Sequence, residues 1–242
     1  MLDIQRCCFV QTRDENLMNA HVPLSPSMES LLAAYTSGHL GHGMSVLMAS
    51  FLTLSPVARR QMETFETLYG VMLDNAESVE MADDALAVLM TRLDTPEADE
   101  SHVIANGDDK NFENGNKDLP APLRAVLDHP IEDQRWRFAY PGVRQLSLGI
   151  GDNDERVKLL KIMPGKSAPR HTHKGIEATL VLRGAFRDGN RLYDRGQLAL
   201  ADQHIQHRPR AEGDEDCICL AVNDGALRFT DSFGRVARDF FA

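Results

Sequence analysis

His171, His173 and Glu177 lie in the stretch PGKSAPRHTHKGIEATLVLRGAF, residues 164–186. Two histidines separated by one residue leave the same face of a strand and can converge on a single ion. Glu177 returns after the KGI turn and can add an oxygen. Imidazole nitrogens with a carboxylate suit Zn, Fe, Ni, Cu or Mn, so the donor types point to a divalent metal without selecting one. Such a site loses affinity in acid, because its imidazoles must be neutral to bind. The plain alternative for H-x-H followed by Glu is a solvated turn.

These residues need a β framework, and the pattern from Pro120 onward predicts one. Short runs RWRFAY, RQLSLGI, VKLLKIM, EATLVLRGAF, RLYDRGQLALA, CICLAV and LRFTD are cut by Gly, Asp and Asn, as in an all-β sandwich or barrel. Upstream, from Ser27 to about Asp94, apolar residues recur three and four apart and predict a small helical bundle. Gly38 is expected to close its first helix and Ser55-Pro56 to open the third, with Asp83 and Asp84 in the first turn of the fourth. Between the two parts, TPEADESHVIANGDDKNFENGNKDL reads as a flexible acidic linker. The expected organisation is α+β and multidomain: an extension over 1–20, helices over 21–94, linker over 95–119 and a β domain over 120–242.

At 242 residues the chain can bury two modest cores. Its 26 Lys+Arg against 36 Asp+Glu give a net charge of -10, which argues against direct nucleic-acid binding, since that leans on a clustered basic face. An acidic chain suits a basic protein partner. The cysteines fall in two close pairs, Cys7 with Cys8 and Cys217 with Cys219, unlike a secreted disulfide framework. Neither a signal peptide nor a membrane-spanning run is present, and the expectation is a cytoplasmic protein without membrane contact. Cys217 and Cys219 share one strand face and are read first as small buried residues, with redox-sensitive thiols as the alternative.

The spacing around the histidines resembles the first motif of the cupin family without a gap: Gly165, five residues, His171-x-His173, three residues, Glu177, six residues, Gly184. The second cupin motif resembles GQLALADQHIQH, with Gly196 and then His207 at the family's spacing. It is less regular, because the family's Pro, second Gly and closing Asn are here Asp202, His204 and Ala211. The resemblance implies a double-stranded β-helix barrel holding one metal ion on His171, His173, Glu177 and His207, zinc first among the candidates. His204, three residues from His207, is read as a surface or loop residue.

The whole arrangement resembles the ChrR-type anti-sigma factors, in which a helical part precedes a cupin-like domain. The matching stretches are LLAAYTSGHL, EDQRWRFAYPGVRQ, HTHKGIEATLVLRGAFRD and DCICLA. The resemblance implies a transcription regulator that sequesters an extracytoplasmic-function sigma factor through its helices. The cupin would then sense oxidative signals or stabilise the chain. One departure lies in FLTLSPVA, which places Phe51, Ser55 and Ala58 where that family carries a structural zinc site's His, Cys and Cys. His21 alone matches the early ligand, so no zinc is expected in the bundle. His39 and His42 read as a polar helix junction. Apolar stripes such as Leu31, Leu32 and Tyr35, or Met44, Leu47 and Met48, could face the partner, although for most of them an intramolecular core is the plainer reading.

Two alternatives from other classes stay open. Cupin metal sites also serve dioxygenases and isomerases, yet no second acid/base set is evident beyond Arg170, Arg183 and Arg208, which lie near ligands along the chain. No catalytic residue is therefore assigned. A small-molecule-binding cupin whose helices form a homodimer is the other.

Overall fold

The computed structural model describes residues 28–94, 115–152, 155–224 and 227–229. His21, Cys7, Cys8 and most of the expected linker lie outside these. Among the described residues the helices come first: α1 (Met28–Thr36), α2 (His42–Leu54), α3 (Pro56–Asp74), α4 (Ala85–Asp94) and the single turn α5 (Ala121–Arg124). Eleven strands follow: β1 (Arg137–Tyr140), β2 (Val143–Ser147), β3 (Arg156–Ile162), β4 (His171–His173), β5 (Glu177–Arg183), β6 (Ala185–Asp188), β7 (Arg191–Asp194), β8 (Leu198–Ala201), β9 (Arg210–Glu212), β10 (Cys217–Asn223) and β11 (Leu227–Phe229). Among the described residues, no helix is long and apolar enough to cross a membrane.

The helix signals act locally as their chemistry predicts. Gly38 adopts φ +71°, the left-handed conformation that ends α1. Ser55 caps α3, its hydroxyl accepting from the Ala58 amide at 3.3 Å, with Pro56 in the first turn. Asp83 and Asp84 precede α4 rather than sitting inside it. Phe51 and Ala58 are packed into the core, so two of the three positions that differ from the zinc-site pattern carry apolar filling, while Ser55 serves as the cap of α3.

The strands form an antiparallel six-stranded sheet, in the order β1-β2-β3-β10-β5-β8, and two smaller sheets, β7-β6-β9 and β4-β11. Isolated bridges Ser167↔Arg210 and His171↔His207 join the smaller sheets into one wall. The two walls enclose the barrel interior.

EATLVLR and CICLAVN do not alternate apolar with polar, because both faces of β5 and β10 are covered. Ala178, Leu180 and Leu182, with Ile218, Leu220 and Val222, point outward into a cluster with Leu31, Leu32, Met44, Leu47, Met48 and Phe51 of α1 and α2. Val181, Cys217 and Cys219 join Phe186 and Ile162 in a second cluster. The helices and the barrel therefore share one continuous core, with α2 laid across the outer face of the large sheet. The stripes weighed as partner-facing, Leu31 and Leu32 with Met44, Leu47 and Met48, are buried in that core. Within residues 115–119, the end of the expected linker, Asn116 and Leu119 are anchored in the core while the other three residues are exposed. Leu119 is buried, and Asn116 Oδ1 accepts the Ile131 amide at 2.8 Å.

Leu47 of α2 and Leu180 of β5 are both fully buried in this shared cluster. Leu47→Ala is expected to destabilise the chain by about 2–5 kcal/mol, the usual range for a buried leucine. Chemical denaturation should show the helical signal and the Trp136 fluorescence melting together; separate transitions would contradict a shared core.

Candidate metal centre

Three pieces of backbone deliver the four donors. β4 turns His171 and His173 to the same side, and β5 begins with Glu177. The bridge His171↔His207, with paired backbone hydrogen bonds of 3.1 Å, brings the fourth residue alongside from the second motif. All four are buried, and one donor atom from each lies within 4.8 Å of the others. His173 Nε2 is 2.9 Å from His207 Nε2, which is 3.1 Å from His171 Nε2. His204 is exposed, and its backbone amide donates to Asp202 Oδ1 at 2.8 Å.

The outer ring of partners fixes how two imidazoles present their lone pairs. His171 Nδ1 donates to the Pro169 carbonyl at 2.7 Å, and His207 Nδ1 donates to Asp188 Oδ2 at 2.7 Å. The proton on Nδ1 leaves Nε2 of each ring unprotonated and directed inward, where the two face each other. Two lone pairs facing at this distance repel unless a cation or proton lies between them. This orientation, with the carboxylate of Glu177 beside it, is the chemistry of a site that could bind a metal. Asn223 completes the ring: its Nδ2 donates to Glu177 Oε2 at 2.8 Å and lies 3.3 Å from His173 Nδ1.

The charges respond accordingly. Burial pushes His173 down to about 4, so that ring is neutral at pH 7. Glu177 is buried, which favours its neutral form, but the hydrogen bond and charges of the three histidines hold it ionised, well below the usual carboxylate range. At His171 burial opposes the proton, and the bond to Glu177 overrides it and raises the pKa above the ordinary imidazole value.

A pocket inside the barrel opens beside these donors. Lys158, Thr179 and Asn223 give it polar points, while Leu160, Ile162 and Phe186 make its apolar wall. Burial and nearby Arg156 lower Lys158 to about 8. Cys219 also lines the pocket, with its sulfur 3.5 Å from that of Cys217. The contact with Cys217 and burial raise the Cys219 thiol, which keeps it protonated. Arg183 pairs with Glu132 at 2.6 Å, and Arg170 and Arg208 are exposed, so none of the three belongs to the donor cluster.

Sequence reasoning missed Asp188 and Asn223. Asp188 carries no local signal, since it precedes a Gly-Asn turn like any surface acid. Asn223 did carry one. It continues the alternation Cys217, Cys219, Ala221 on the inward face of β10, and a polar residue in that register is aimed at the barrel interior.

Residues 127–228 match the ChrR cupin-like domain family. Over 213 residues the chain is 34% identical to the anti-sigma-E factor ChrR of Cereibacter sphaeroides, covering 88% of this chain and 95% of that protein. The chain belongs to the ChrR family. The crystal structure of Rhodobacter sphaeroides SigE in complex with the anti-sigma ChrR resembles it with a TM-score of 0.68 and 34% identity, covering 82% of this chain and 97% of the other. The helices followed by a cupin barrel thus form the fold of the ChrR family, as the resemblance of the matching stretches implied.

Proposed function

We propose that this chain is an anti-sigma factor that sequesters an extracytoplasmic-function sigma factor in the cytoplasm, and that it acts as a regulator rather than an enzyme. The observation that carries the reading is its similarity to ChrR over nearly the whole of that protein, including the chain seen with SigE. The helices supply a surface to match. The second half of α3 and the segment through α4 expose large apolar side chains, among them Leu73 at 76%, Met81 at 76%, Leu86 at 69% and Leu93 at 71%. So many exposed large apolar side chains on neighbouring segments suit an interaction surface, and a sigma factor is the partner that the family supplies. Occlusion of the sigma factor's polymerase-binding surface is the mechanism. Co-purification of the full chain with its cognate sigma factor tests this reading. A 1:1 complex on gel filtration supports it; separate elution at micromolar concentrations overturns it.

The second half of the proposal is that His171, His173, Glu177 and His207 hold one divalent ion, with zinc first, for sensing an oxidative signal or for stability. Three nitrogens with one oxygen suit zinc, and the Pro169 and Asp188 partners orient two rings toward a common point. Asp188→Asn keeps the shape but removes the charge behind His207. Zinc affinity is expected to fall about 10–100-fold, the usual effect of losing such a supporting partner. Competition against a chromogenic chelator measures it; unchanged affinity would show that Asp188 does not orient His207 for the ion.

A further inference from the structure

The first turn of α2 has no cap of its own. Gly41 at the N-cap has no side chain, so the amides of His42, Gly43 and Met44 need other partners. They find them in the barrel, 110–112 residues further along the chain. His42 donates to Asp152 Oδ2 at 2.6 Å, Gly43 to Glu155 Oε2 at 2.8 Å, and Met44 to Glu155 Oε1 at 2.8 Å. Two carboxylates at a helix N-terminus also oppose its positive end. The seat is close enough to require glycine, because a Cβ on Gly43 would lie 2.2 Å from Val157 Cγ2 and 2.8 Å from Glu155 Oε2.

Glu155 directly precedes Arg156, the first residue of β3. Arg156 pairs across the sheet with Asn223 of β10, and Asn223 pairs on its other side with Glu177 of β5. The same Asn223 side chain donates to Glu177 Oε2. One rung of the large sheet therefore runs from a residue of the donor cluster to the residue beside the clasp on α2. Release of this turn to water would break the three hydrogen bonds to Asp152 and Glu155, which makes the clasp a candidate for the two-state element that coupling between distant sites needs.

We propose that this rung couples metal occupancy of the barrel to the seating of α2. An ion held by Glu177 fixes the carboxylate to which Asn223 is bonded, holds the start of β3 in register and keeps Glu155 on the first turn of α2. Loss of the ion loosens that turn and, through the shared core, the packing of the helices that carry the exposed apolar face. The proposal rests on the reading of the four residues as a metal site.

Hydrogen exchange on the full chain, with and without one equivalent of zinc, tests it, with zinc stoichiometry measured on the same samples. Zinc is expected to slow exchange of the amides at residues 42–46 by at least about fivefold, the lower end of typical couplings between sites. In Glu155→Gln that protection should be lost. By reciprocity, zinc affinity should fall by the same factor, although Glu155 is not one of the four donors. Gly43→Ala attacks the clasp from the helix side and should give the same two losses. Zinc bound 1:1 with no change at residues 42–46, or unchanged zinc affinity in a folded Glu155→Gln, overturns the coupling. Failure to bind zinc at all removes the metal reading and the coupling with it, and the stoichiometry separates that case from the first. If both variants fail to fold, the wild-type pair of measurements decides alone.

Discussion

Leu73→Asp combined with Leu86→Asp is expected to abolish the complex with the sigma factor while leaving the fold intact. Both side chains are exposed, Leu73 by 76% and Leu86 by 69%, so charging them disturbs little intramolecular packing. Surface changes of that kind usually shift stability by no more than about 0.5 kcal/mol. At an interface the same positions bury leucine against a partner, and a carboxylate introduced there must be desolvated without a counter-ion. Disrupting a hot-spot side chain of an interface costs about 2 kcal/mol or more, and two introduced charges would each act at that scale. The pair should weaken binding by several hundredfold or more. Titration calorimetry measures the affinity, and the circular dichroism melt verifies the fold. An unchanged affinity would move the docking surface away from α3 and α4. Leu47→Ala is the contrasting control: it lies in the shared core, so it should lower the melting temperature before it alters any interface.

That contrast shows what the sequence made legible. Apolar periodicity identified the helices of residues 28–94, and Leu31, Leu32, Met44, Leu47 and Met48 follow the plainer of the two readings given for their stripes, because a stripe three and four apart is most simply covered by the chain's own core. Periodicity does not say what covers it. The cover is the outer face of β5 and β10, more than a hundred residues away. A sign of it did stand in the sequence. EATLVLR and CICLAVN lack the alternation that a strand with one wet face shows, and a barrel strand needs a second layer to bury both faces. The capping of α2 by Asp152 and Glu155 carried no such sign, since a turn acid and a glycine-led helix start are common separately.

The donor cluster was more accessible for the opposite reason. His171, His173 and Glu177 fall within seven residues, so strand geometry alone sets two of them on one face. His207 needed the second motif, because only the bridge to His171 brings it near. Asp188 and Asn223, 19 and 46 residues from the side chains they hold, are fixed by strand order, which spacing does not encode.

His207→Ala is expected to remove stoichiometric zinc binding at pH 7.5. It deletes one of four donors and leaves Asp188 facing no imidazole, so the loss should exceed the roughly 100-fold upper range for a supporting partner. The wild-type chain should show a matching loss in acid, and its sign follows from the individual rings. His173 is depressed to about 4 and Glu177 stays ionised, so neither takes up a proton until well below neutrality. His171 is raised above the ordinary imidazole value, so its proton competes with the ion for the lone pair at a higher pH than that of His173. Affinity should therefore fall with acid, by about tenfold per pH unit once the pH is below that group's pKa. A second, steeper loss follows as the pH approaches 4 and His173 charges. Chelator competition at pH 7.5, 6.5 and 5.5 measures the slope. An affinity that stays flat over that range would mean that the ion is held elsewhere, because no site built on His171 can escape its proton.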